Sequence, residues 1–159
     1  MENNMFKFKL TTLLMLILGV FAFSGCDDGG DDGETPKTYT IGDIGPSGVG
    51  IVFYINEGGL HGLEVAPEDQ SAGAAWSNID GTSVNGSNTL PDEIGTGYAN
   101  TNAIITQTDH TASAAKICRD YRGGGKSDWF LPSRNELNAI WDNLVKEGAD
   151  SNSGVGEFA

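Results

Sequence analysis

Apolar positions along this chain fall into patterns of different period, and each predicts an element. Leu10 to Phe23 is an almost unbroken apolar run near the N-terminus. Much later, "VGIVFYI", Val49 to Ile55, packs β-branched and aromatic residues between Pro46-Ser47-Gly48 and Gly58-Gly59. A short run of that kind, bounded by turn residues, predicts a largely buried strand. "GLEVA", Gly62 to Ala66, alternates apolar and polar positions before Pro67 and predicts the returning strand of a hairpin. Trp76 opens a Gly/Asn/Ser/Thr stretch to Thr89 that reads as loop. The period then lengthens. Tyr98 to Thr106 predicts a short helix with Ala99, Ala103 and Ile104 on one face, and Ala112 to Tyr121 a better one with Ala114, Ile117, Cys118 and Tyr121 at core spacing. The most regular pattern is the last: Leu137, Ile140, Trp141, Leu144 and Val145 recur at i, i+3, i+4, i+7 and i+8 before a stop at Gly148.

The entry to that helix is "SDWFLPSRNEL", Ser127 to Leu137. Ser133 and Glu136 have the spacing of a capping box, in which hydroxyl and carboxylate each accept a hydrogen bond from a free backbone N–H. Pro132 keeps Leu131 extended, so Trp129, Phe130 and Leu131 form a buried, strand-like lead-in. Trp129, Phe130, Leu131, Pro132, Ser133, Glu136 and Leu137 are thus assigned a structural role.

Charge and the N-terminus set the location. Nine basic against 22 acidic residues, a formal net charge of -13, speak against nucleic acid as a partner, which would need a basic stripe. Lys7 and Lys9 precede the apolar run, which ends in Phe23-Ser24-Gly25-Cys26. A basic segment, an apolar core and small residues at a cut site describe a signal peptide. The run is shorter than the ~20 residues a membrane-spanning helix needs. A cysteine directly after Ser24-Gly25 resembles a bacterial lipobox, with Phe23 where an aliphatic residue is usual; an ordinary secreted protein is the alternative. Residues 1–25 are read as a leader cleaved after Gly25, and Cys26 as the palmitate-type lipid attachment site. Residues 26–38, acidic and glycine-rich, are read as a tether because they hold too little apolar surface to offset ordering entropy. Residues 39–159 are the domain. Losing Glu2, Lys7 and Lys9 leaves 9 − 2 = 7 basic and 22 − 1 = 21 acidic residues, a net −14. With Cys26 acylated, Cys118 is expected to be a buried, inert thiol and not half of an intramolecular disulfide; an intermolecular bridge or a reactive thiol is the alternative.

Candidate chemistry is sparse. Asp28, Asp32 and Gly33 look like half a calcium loop without its bidentate glutamate. "RGGGKS", Arg122 to Ser127, has the end of a phosphate loop, but Asp120 stands where the first glycine belongs. "WDN", Trp141 to Asn143, holds the letters of a calcium-lectin triplet in another order, within a helix. His61 and His110 are far apart, without the i, i+4 partners of a zinc site. Glu64, Glu68 and Asp69 offer carboxylates for glycoside chemistry, as any acidic surface does, and no G-x-S-x-G elbow is present. No catalytic residue, metal site or cofactor is assigned.

Several segments together resemble the Lcl C-terminal domain family, named for a collagen-like bacterial adhesin. They are "IGDIGPSGVGIVFYI", "GLEVAPEDQ", "IGTGYANTNAII", "AAKIC" and, most specifically, "SDWFLPSRNEL". The resemblance covers roughly Tyr39 to Ala159. It implies an α+β, C-type-lectin-like domain with a small antiparallel sheet and two main helices, used in adhesion or ligand binding and not in established catalysis. Family members continue past a "GFA"-like segment into further strands, whereas this chain stops at Gly156-Glu157-Phe158-Ala159, so an incomplete domain is expected. The naming adhesin binds sulfated polysaccharide through basic surfaces; at −14 that property is not expected here. The reading is therefore an envelope lipoprotein, on the outer membrane or cell surface, anchored through Cys26 and binding an extracellular carbohydrate or protein. A hydrolase on a lectin-like scaffold and a nonfunctional truncated fragment are the alternatives. Perturbed carboxylates gathered in one pocket beside a base would mark the hydrolase.

Overall fold

A computed structural model describes residues 19–24, 36–79, 83–84 and 89–146. Cys26, nearly all of the tether, and the expected helix stop at Gly148 lie outside the described residues. The class is α+β: the described residues form a three-stranded antiparallel sheet and three α-helices.

The hairpin forms where the alternation places it. Strand β2, Ile51–Asn56, runs into a tight turn at Glu57–Gly59, and β3, His61–Val65, returns along it from Ile51↔Val65 to Asn56↔His61. Asn56 Oδ1 accepts the Glu57 N–H at 2.7 Å, and Gly58 and Gly59 take positive φ of 69° and 92° to reverse the chain. A bulge between Val52 and Tyr54 sets Phe53 and Tyr54 toward the same cluster. Both faces of the hairpin are covered. Phe53, Leu63 and Val65 pack with Phe130 and Ile140 on one side; Val52 and Ala66 pack with Trp129 and Tyr39 on the other.

The third strand has an unexpected source. Strand β1, Val20–Ser24, lies in the stretch read as the apolar end of the leader. It pairs antiparallel with β3 from Val20↔Val65 to Ser24↔His61, making the sheet order β1-β3-β2. On its other side Val20 and Phe130 exchange two backbone bonds, each 2.8 Å. Val20 joins the Phe53 cluster, while Phe21 and Phe23 join the Trp129 cluster.

The helices follow the predicted spans but not all the predicted faces. Helix α1, Gly97–Ile105, buries Ala103 and Ile104 but leaves Ala99 exposed. Asn100 and Thr101 turn inward instead: Asn100 Nδ2 donates to the Pro91 carbonyl at 2.7 Å, and Thr101 Oγ1 accepts the Leu131 N–H at 2.9 Å. Helix α2, Ala114–Asp120, begins two residues later than expected because Ser113 caps it, accepting the Lys116 N–H at 2.9 Å. Helix α3, Arg134–Ile140, continues into a π-helical turn, Trp141–Val145. Its core face differs most from expectation. Ile140 is buried and Leu144 partly so, but Leu137, Trp141 and Val145 are 43%, 40% and 37% exposed. The inward row instead runs through Glu136 and Ile140, and Asn143 Nδ2 donates to the Phe53 carbonyl at 2.9 Å. Among the described residues no helix is long and apolar enough to cross a membrane.

Candidate functional site

Within the "DWFLPS" segment Trp129, Phe130 and Ser133 are buried, while Asp128 is exposed. Trp129 is fully buried, edge-on to Tyr121 at 5.0 Å and tilted against Phe21 at 5.7 Å, and its Nε1–H donates to the Gly123 carbonyl at 3.1 Å. Phe130 bridges to Val20, and Leu131 and Pro132 are half-buried. Ser133 completes the capping box, accepting the Glu136 N–H at 3.3 Å and donating its hydroxyl to the Glu93 carbonyl at 2.9 Å. Glu136 does more than cap. Its Oε2 accepts the Ser133 N–H at 2.6 Å, and its Oε1 accepts the N–H groups of Gly95 at 2.8 Å and Gly97 at 3.4 Å. One buried carboxylate thus ties α3 to the start of α1. Leu137, the last residue of the motif, points to solvent.

A second buried carboxylate organises the turn before β2. Glu64, fully buried in β3, accepts the Ser47 N–H at 3.1 Å and the Ser47 hydroxyl proton. Ser47 Oγ in turn accepts the N–H groups of Gly50 at 2.8 Å and Val49 at 3.2 Å. A side chain at Gly45 or Gly50 would collide with the carboxylate, which explains both glycines. Burial pushes the Glu64 carboxyl up, against the Ser47 hydrogen bonds and the Lys126 charge that pull it down. Glu68 and Asp69, its companions in the sequence, lie outside on the loop after β3, so the three do not share a cleft. Desolvation also raises the Asp69 carboxyl.

The remaining candidates are dispersed. His61 pairs with Glu57 at 3.3 Å, and His110 Nε2 lies 2.9 Å from Ser113 Oγ. No group of three metal-ligating side chains occurs among the described residues. Cys118 is buried in α2 and its thiol is pushed up to about 12 by desolvation, so the reactive thiolate is not populated near neutral pH.

A concave site does form at the C-terminal end of α1. Ile79, Ser83, Ala103, Thr106, Gln107, Thr108 and Asp109 line a depression of about 460 Å³. Its rim is shaped by Asn78, whose Oδ1 accepts the N–H groups of Thr111 at 2.9 Å and Ala112 at 3.1 Å while Nδ2 donates to the Asp109 carbonyl at 3.2 Å. Asp109 takes a positive φ of 64° there, a conformation few non-glycine residues adopt outside functional or turn positions. The Gln107 side-chain oxygen is buried and has no hydrogen-bond partner among the described residues. Among the described residues the lining offers hydroxyls, an amide and the Asp109 carboxylate. Such a surface can hold a ligand by hydrogen bonds. The sequence reads Ile79 and Ser83 as loop and Ala103 and Thr106 as helix, and nothing in it joins the two; the one pointer was the length of the polar stretch from Trp76 to Thr89. Comparison with protein-family models, with curated proteins and with solved structures finds no match to this chain.

Proposed function

We propose that this chain is a bacterial envelope lipoprotein, anchored through an acylated Cys26, whose Lcl C-terminal-like domain binds an extracellular ligand, carbohydrate or protein, on a C-type-lectin-like scaffold. The observation that carries the location is the order Lys7, Lys9, apolar run, Ser24-Gly25-Cys26. A lipid-bearing cysteine is a membrane anchor, since each buried methylene contributes about 0.8 kcal/mol. Ligand binding is supported by the depression at the end of α1, where the described lining offers hydroxyls, an amide and the Asp109 carboxylate. The −14 charge of the processed chain favours a neutral or cationic ligand. Metabolic labelling with a radioactive fatty acid tests the anchor: the wild-type chain takes up label and Cys26→Ser does not. Equal labelling of the two refutes it.

A further inference from the structure

Cleavage after Gly25 would carry β1 away, because Val20–Ser24 lies on the leader side of the cut. The residues left behind would then frame a slot one strand wide. On one side stands the β3 edge, from His61 to Val65, and on the other the backbone of Phe130. The slot is two-faced. Val20 reaches Val65, Leu63 and Phe130 on one face; Phe21 and Phe23 reach Trp129, Tyr39 and Val52 on the other. All three side chains are buried, whereas Ala22 between them is exposed. Opposite Phe23 the chain has Gly62, where a Cβ would stand 2.7 Å from the phenyl ring, so that position leaves room for an aromatic ring to lie on the backbone.

We infer that the groove between β3 and Phe130 is a binding site for an extended segment of a partner protein, received as an added β-strand. Strand addition gives affinity through main-chain bonds and specificity through alternate side chains. The occupant's chemistry follows from the register: an aliphatic residue opposite Val65, aromatic residues opposite Glu64 and Gly62, and a small or polar residue between the aromatics. In the unprocessed chain the end of the leader holds that place. The inference rests on the processing proposed above and names the ligand as protein.

The processed lipoprotein, purified from membranes in detergent, is first weighed by mass spectrometry to locate its N-terminus. A fluorescent peptide with the sequence of residues 19–24, flanked by lysines for solubility, is then titrated into it. Saturable binding with a raised thermal midpoint is the expected result. The control is the same peptide N-methylated at both phenylalanines. Because the Val20 N–H faces Phe130, the neighbouring amides alternate toward β3; methylating them removes strand pairing while charge and side chains stay. Binding should weaken about tenfold or more. Equal binding of the methylated peptide, no binding to the processed chain, or dimerisation of that chain through the vacant edge would each overturn the inference. A purified chain that still begins at Met1 would overturn the processing reading itself, which is a separate result.

Discussion

Glu64 and Glu136 are both fully buried carboxylates that accept hydrogen bonds from loop backbone, yet only one was legible in the sequence. Glu136 announces itself because its partner Ser133 is three residues away, within the span of a local motif. Glu64 does not, because Ser47 is 17 residues distant and an alternating strand with one wet face would turn a glutamate outward. Here both faces are covered. Removing Glu136 leaves the N–H groups of Gly95, Gly97 and Ser133 without their acceptor, so Glu136→Ala should cost about 3 kcal/mol in urea unfolding, more than the ~1 kcal/mol expected of Ser133→Ala. Glu64 predicts a pH dependence. Its folded carboxyl is raised above 4.5, so the folded state binds the proton more tightly than the unfolded state. Its contribution to stability is fully present below about pH 4.5 and is lost as pH rises through the folded value. Unfolding midpoints from pH 4 upward should show that decline in the wild type, and Glu64→Gln should flatten it. An unchanged slope in the variant would assign the decline to other groups, Asp69 first.

At the scale of elements, spans were easier to read than faces. The hairpin, α1, α2 and α3 lie within a few residues of their predicted positions because apolar periodicity and the Ser133 box are local signals; the Ser113 cap, which moves the start of α2, was not predicted. The face of α3 was not legible. Leu137, Trp141 and Val145 form as good an apolar row as Ile140 and Leu144, and periodicity alone does not choose between adjacent rows. The capping carboxylate chooses: with Glu136 held inward on Gly95 and Gly97, the row through Ile140 faces Phe53 and the row through Leu137 faces out. Ile140→Ala should therefore cost about 2–5 kcal/mol, and Leu137→Ala and Val145→Ala no more than about 0.5 kcal/mol each. Urea midpoints of the three variants decide it; a reversed order would return the core to the row predicted from periodicity. In the lead-in, Trp129→Ala should cost about 3–5 kcal/mol, since the ring lies between Phe21 and Tyr121.

For the molecule as a whole, the segment Val20–Ser24 satisfies two patterns at once. Its residues complete the apolar run of a leader, and its alternation also suits a strand with both faces covered. The first pattern alone leaves β3 with a single neighbour, whereas the fold places a strand on each side of it. The three side chains that β1 buries, Val20, Phe21 and Phe23, contribute roughly 5–9 kcal/mol at most by their burial. That is comparable to the whole stability of an ordinary domain, about 5–15 kcal/mol, so a chain with β1 and a chain without it should behave as different proteins. The unprocessed chain, residues 1–159, should unfold in urea at a higher midpoint and with a steeper slope than the chain that begins at Cys26, because more surface is exposed in its transition. The shorter chain should also bind a dye specific for exposed apolar surface, through the uncovered Leu63, Val65 and Trp129, where an unpaired strand edge invites association. Dye binding should then fall as the residue 19–24 peptide is added, in proportion to the slot filled. If the two chains share one midpoint and one slope, β1 contributes nothing to the cooperative unit, and the core closes over β3 without it.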